Sequence, residues 1–230
     1  MILSHKHRFI FIKTTKTAGT SVEIALSKFC GPEDIIAAIS PEDEVTRKEL
    51  GYPGPQHHTA PLRHYSFQDW KSRLRRGVKP RWFYNHMPAS LIRDRAPAEA
   101  WKTYYKFAIE RNPWDRAVSL FYWHRRNKPD LSFETFMEDE RYLGLRKSGF
   151  GLYSIDGKVV ADRICRFETL EQDLEEVRQE LGLPEPLVLP RAKGGFRAKK
   201  QHYRELMTPA YRDRIAEAFA WEIETFGYEF

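Results

Sequence analysis

The chain has 230 residues, 41% of them hydrophobic, 14% aromatic and 30% charged, which suits one sizeable domain (1–230) with a real core, or at most two small ones, and argues against disorder. The net charge of +6 favours an anionic partner, but it is spread without a long basic run, so no nucleic-acid stripe is demanded. Cys30 and Cys165 belong to no CxxC pair and read as buried thiols; no apolar run approaches the roughly 18 residues of a membrane span, and the first eight or so residues run into a strand, so a reducing, cytoplasmic setting is expected.

Phe9–Ile12 is an unbroken aromatic and β-branched run, the pattern of a strand buried on both faces of a parallel sheet. A loop of Lys, Thr, Ala and Gly follows, and a helix is predicted over 20–29, stopping at Gly31-Pro32. Strand, small-residue loop and helix N-terminus together make an anion site, with Lys16 adding a full charge and Thr20 and Ser21 adding hydroxyls. Residues 32–81 read as an irregular insertion on the acceptor side, carrying one helix over 66–75 with Phe67, Trp70 and Leu74 on one face.

Trp82-Phe83-Tyr84 is expected as a second strand, ending at Asn85-His86-Met87-Pro88, and residues 104–109 as a third. Asn112 then caps a helix with Pro113 in its first position and Asp115 suiting the dipole. Ala117, Leu120, Phe121 and either Trp123 or His124 form its inner face, while Trp114 and Arg116 are assigned to packing and the helix surface. A strand over 164–167 precedes a helix over 169–181, whose Leu170, Leu174, Val177 and Leu181 make one apolar stripe. A basic loop spans 191–204, and a last helix begins at Thr208-Pro209. Strands alternating with helices imply a three-layer α/β/α sandwich around a mostly parallel sheet.

The common phosphate loop places glycine just before the lysine. In Lys16-Thr17-Ala18-Gly19-Thr20-Ser21 the lysine comes first and no glycine lies four or five residues upstream, so an NTP-hydrolysing reading loses its support. A second constellation is Arg111-Asn112-Pro113-Trp114-Asp115-Arg116 with Ser119. Arg111 lies at the carboxyl end of a predicted strand, where open α/β sheets bind ligands, and arginine with serine can clamp a phosphate.

Together the two stretches resemble the sulfotransferases that use 3′-phosphoadenosine 5′-phosphosulfate (PAPS), closest to the carbohydrate-type branch with its bacterial members. Arg166-Phe167-Glu168-Thr169-Leu170 and the ending Phe226-Gly227-Tyr228-Glu229-Phe230 are similar to the same family. One departure is Thr15, where the family usually has proline. The resemblance implies a P-loop-NTPase-like sulfotransferase fold and sulfuryl transfer from PAPS, leaving the bisphosphate PAP, with no metal required. It implies that Lys16 faces the leaving phosphate, that Thr17, Ala18, Gly19, Thr20 and Ser21 line the 5′-phosphosulfate loop, and that Arg111 and Ser119 hold the 3′-phosphate. A later basic loop would close over the cofactor, drawing on Lys193, Arg197, Lys199 and Lys200, with Arg197 and Lys199 taken as the contacts.

His86 is the expected general base, since an imidazole titrates near the operating pH and follows a predicted strand; Glu110 is the second candidate. His57, His58 and His64 either line the acceptor cleft or sit in solvent. The expected acceptor is a hydroxyl, ahead of an amine, on a glycan or small molecule. The rivals are a Mg²⁺-dependent nucleotide phosphotransferase and a non-catalytic binder of nucleotide or nucleic acid. The acceptor's identity and the oligomeric state are not encoded in any motif.

Overall fold

The computed structural model describes residues 1–77, 79–190 and 202–230. Strands β1 (Ile2–Ser4) and β2 (Phe9–Ile12) form an antiparallel hairpin, followed by helix α1 (Gly19–Ser27), β3 (Ile35–Ile36), α2 (Pro41–Glu49) and α3 (Phe67–Arg76). Helices α4 (Ala89–Arg95) and α5 (Ala98–Thr103) lead into β4 (Tyr105–Glu110) and α6 (Pro113–Arg125). Short helices α7 (Phe133–Glu138), α8 (Gly144–Lys147) and α9 (Phe150–Tyr153) precede a small hairpin of β5 (Ser154–Ile155) and β6 (Lys158–Val159). The chain then runs through β7 (Arg163–Arg166) and α10 (Leu170–Glu180) to α11 (Tyr203–Leu206), α12 (Pro209–Ala218) and α13 (Ala220–Phe226).

The main sheet has the order β3-β1-β2-β4-β7. β2 pairs in parallel with β4, and β4 with β7, whereas β1 is antiparallel to both of its neighbours. Four strands therefore share one direction and β1 alone opposes them. All four side chains of β2 are buried, and they alternate between two cores. Phe9 and Phe11 pack with Val22 and Leu26 of α1 and Leu174 and Val177 of α10. Ile10 and Ile12 pack with Ile92 of α4, Ala100 of α5 and Leu152 of α9. Helices thus cover both faces of a mostly parallel sheet, giving the expected three-layer α/β/α sandwich. A third cluster joins Ala117, Leu120 and Phe121 of α6 to Phe136, Ile215 and Phe219.

Three expectations are corrected. Trp82-Phe83-Tyr84 is not a strand: Phe83 is buried, but the Trp82 and Phe83 amides both bond the His58 carbonyl, at 2.8 and 3.0 Å, outside the main sheet. The place beside β2 is taken instead by β1, a three-residue run too short to separate from its lead-in. Within 32–81 the chain forms β3 and α2 as well as α3. Pro41, read as an irregularity, is the first residue of α2 behind the Ser40 cap.

Candidate functional site

The carboxyl ends of β2 and β4 open on a cleft of about 560 Å³. Its lining gathers Lys16, Thr17, Ala18, Gly19, Thr20, Ser21, His86, Arg111 and Ser119, which is every expected site residue within the described segments. Arg197 and Lys199 lie outside the described residues. Lys13, Lys16 and Arg111 bring three cations to this lining, and among the described residues no carboxylate lines it. A concave surface of that charge concentrates anions.

The first wall is the turn between β2 and α1. Lys16 and Ala18 adopt left-handed backbone, at φ 67 and 60. For residues with a Cβ this costs roughly 1–2 kcal/mol each, and such strain persists only where surrounding contacts enforce it. The contacts are present. Thr14 Oγ1 donates to the Ile109 carbonyl of β4 at 2.5 Å, and the Thr15 amide donates to the Ser148 carbonyl at 2.9 Å. Arg111 Nη1 donates to the Lys16 carbonyl at 3.1 Å and Arg116 Nε to the Thr15 carbonyl at 2.8 Å. Gly19 is needed for close approach, because a Cβ there would stand 2.9 Å from Lys13 Cγ and 3.3 Å from the Thr14 carbonyl. α1 then starts at Gly19 with no side-chain cap and no acidic residue in its first turn. The turn thus presents the positive end of the helix dipole to the cleft.

Arg116 corrects the sequence reading, which put it at the helix surface. It is buried, its Nη1 pairs with Glu110 Oε1 at 2.5 Å, and its Nη2 donates to the Ser148 carbonyl at 2.8 Å. Gly149 makes room for it, since a Cβ there would fall 2.4 Å from Nη1. Glu110 also accepts from the Arg111 amide at 3.0 Å and from the Tyr153 hydroxyl at 3.0 Å, and it does not line the cleft. Its carboxylate is thus committed to Arg116, the Arg111 amide and Tyr153. Asn112 caps α6 as expected, accepting from the Trp114 and Asp115 amides at 3.1 and 3.3 Å. Arg111 is oriented by Asp115, at 2.9 Å from Nε, and lies 3.9 Å over the Phe167 ring.

Asn85 and His86 also line the cleft. His86 Nδ1 lies 3.1 Å from the Lys13 carbonyl and 3.4 Å from Thr15 Oγ1. A carbonyl can only accept, so this bond puts the proton on Nδ1 and leaves Nε2 as the basic nitrogen. Burial, and then the positive charge of Lys13, push the imidazole down to about 4, which corrects the expectation that it titrates near the operating pH. Lys13 is itself buried against Glu23, with Nζ 2.8 Å from Oε2. Burial alone would raise the Glu23 carboxyl, but Lys13 and the Met1 ammonium overcome it and hold it at about 2.

Sequence reasoning missed Lys13, Trp123 and Phe167 as lining residues. Trp123 is 41% exposed instead of lying on the inner face of α6, and Lys16 Nζ stands 6.0 Å from its ring centre. The signal for it was its position four residues after Ser119, one turn further along the same helix face. His57, His58 and His64 do not line the cleft, and among the described residues no group of three or more His, Cys, Asp or Glu could hold a metal ion.

No family model matches the chain. An uncharacterized protein of Archaeoglobus fulgidus is 35% identical over 104 residues, which is 44% of this chain and 87% of that protein, and the chain belongs to the same family as it. Among solved structures, mouse sulfotransferase SULT7A1 complexed with PAP aligns with a TM-score of 0.49 and 15% identity, over 96% of this chain and 86% of that one.

Proposed function

We propose that this chain is a PAPS-dependent sulfotransferase of the carbohydrate type, acting on a hydroxyl, ahead of an amine, of a glycan or small molecule. The observation that carries the reading is the joining of two sequence-distant stretches, read here as phosphate clamps, in one cleft. The turn holding Lys16 is bonded directly to Arg111 through the Lys16 carbonyl, and Ser119 lines the same wall. A ligand with phosphates at two separate positions fits this pairing better than a nucleoside triphosphate, whose phosphates are contiguous.

Lys16 and the first turn of α1 would hold the 5′-phosphosulfate, and Arg111 with Ser119 the 3′-phosphate. Trp123 and Phe167 offer flat apolar walls. PAPS supplies a sulfuryl group on a phosphate leaving group. As the acceptor oxygen bonds to sulfur, the sulfur–oxygen bond to that phosphate breaks. His86 Nε2 takes the acceptor's proton, and Lys16 with the helix dipole stabilises the negative charge left on the phosphate oxygen. Neither step calls on a metal. The two cysteines, both free and buried, fit the reducing, cytoplasmic setting proposed for the reaction.

Thermal unfolding with added ligand tests the reading. PAP should raise the midpoint with a dependence set by mass action, and Arg111→Ala should weaken that rise. A shift with ATP–Mg²⁺ and none with PAP would assign a phosphotransferase. A shift only with a DNA oligomer would make the cleft's charge a nucleic-acid surface.

A further inference from the structure

Away from the cleft, α3 presents an apolar face to solvent. Phe67 is 83%, Trp70 42% and Leu74 82% exposed, and no residue of the helix is buried. They fall at i, i+3 and i+7, one stripe of a helix with 100° per residue. Lys71 and Arg75 flank the stripe on one side and Arg73 on the other, with Arg76 completing the last turn. The only acid of α3 is Asp69, and it is committed to the cap: its Oδ2 accepts from the Ser66 amide and hydroxyl at 2.9 and 2.6 Å. Ser66 Oγ accepts from the Asp69 amide at 3.2 Å, and Gly77 ends the helix in left-handed backbone. The helix is therefore closed at both ends by its own residues. Leu62, five residues before Phe67, is 54% exposed, and the Tyr65 ring lies 5.2 Å from that of Trp70.

An apolar stripe with basic flanks matches the physics of a helix lying in a lipid–water interface, apolar side chains down and cations at the phosphate level. A second copy of this chain is a poor occupant, because it would set Arg73, Arg75 and Arg76 against their own equivalents. Among the described residues no helix is long and apolar enough to cross a membrane, so α3 would lie on the surface. The segment is also rooted beside the cleft. The Ala60 amide bonds the Pro80 carbonyl at 2.9 Å, Thr59 bridges Arg81, and Arg81 is five residues from His86, at most about 17 Å of chain.

We propose that α3 is an interfacial helix that docks this protein on an anionic bilayer, burying Phe67, Trp70 and Leu74 among the acyl chains with its lysine and arginines at the headgroup phosphates. The proposal is independent of the reaction assigned to the cleft. Flotation with vesicles of about three parts phosphatidylcholine to one part phosphatidylglycerol, compared with phosphatidylcholine alone, tests it. The intact chain should partition onto the anionic vesicles at least about tenfold better, and lose most of that binding at about 500 mM salt. F67E/L74E should abolish it, and R75E/R76E should reduce it by about fivefold or more for each charge removed. Both variants should keep the parent unfolding midpoint, because α3 buries nothing. Absence of vesicle binding would overturn the proposal, as would equal binding to both lipid mixtures. So would loss of binding in R75E/R76E with F67E/L74E unaffected, which would leave only a basic patch. A dimer in sedimentation equilibrium that F67E/L74E dissociates, without vesicle binding, would assign the stripe to self-association.

Discussion

Two basic, loop-rich segments of this chain meet opposite fates. The turn after β2 and the segment rooted at Ala60 both carry cations and few apolar anchors, yet the first is fixed and the second stands clear of the core. The difference lies in what bonds their backbones. The Thr15 carbonyl is held by the Arg116 guanidinium of α6 and the Lys16 carbonyl by that of Arg111, between β4 and α6, and Thr14 reaches into β4. The α3 segment is tied down at its root and capped by its own side chains, and α3 has no buried residue. Cations turned inward toward backbone carbonyls pre-organise an anion site, whereas cations turned outward around an apolar stripe leave a surface that must be completed by something else.

The sharpest way to break this contrast is to exchange the roles. Lys16→Ala should cost about 10³-fold in kcat for sulfuryl transfer, within the range for a lost charge-stabilising donor, and Arg111→Ala should act mainly by weakening PAP binding. F67E/L74E should leave turnover of a water-soluble acceptor within about twofold, since a surface helix without buried contacts is not part of the site. Steady-state kinetics with labelled PAPS decides it. Full turnover by Lys16→Ala would remove the turn from the chemistry.

Arg116→Ala should come next, at about 3–5 kcal/mol of stability in urea unfolding, because it leaves Glu110 buried without its cation. It should also loosen the turn by freeing the Thr15 carbonyl. Arg73→Ala in α3 should stay within about 0.5 kcal/mol. A pair of leucines makes the same comparison with charge removed. Leu174→Ala should cost about 2–5 kcal/mol and Leu74→Ala almost nothing, as Leu174 is 3% exposed and Leu74 82%. Similar losses for both would mean that α3 packs against the body in solution.

The contrast also explains how much was legible. β2, the turn and the start of α1 were readable because an apolar run, a small-residue loop and a helix onset follow one another within the local sequence. The α10 stripe was readable for the same reason: periodicity is local, and Leu174 and Val177 are core. Arg116 was not, because its meaning depends on Glu110, Thr15 and Ser148, which only the fold brings to it. Trp82-Phe83-Tyr84 misled for a related reason. An aromatic run says that something is buried but not that a place in a sheet is available, and β1 already occupies the place beside β2. Phe67, Trp70 and Leu74 were correctly placed on one face of a helix, but periodicity cannot say whether that face meets the protein, and here it meets solvent.

The last test concerns His86, which lies against the fixed turn. His86 should leave PAP binding intact when changed to alanine while slowing transfer by about 10², the usual loss for a general base. Its pH dependence gives the finer test. An imidazole held at about 4 in the folded protein stays neutral, with Nε2 available, through the whole range above that pH. The acid limb of kcat/KM should therefore fall near 4 and not near 6.5, and it should change in His86→Gln. The sign for stability follows from the same shift. Between pH 6.5 and about 4 the unfolded chain binds a proton at this position that the folded chain refuses, so acid favours unfolding across that window, by on the order of 3 kcal/mol at its lower end. Above 6.5 the group is neutral in both states and contributes no slope. His86→Gln should accordingly lose stability less steeply than the parent as the pH falls from 6.5 to 4, as measured by urea unfolding at each pH. Parallel curves for the two proteins would mean that His86 is solvated like an ordinary surface histidine. The cleft at His86 would then resemble α3 more than it resembles the turn after β2.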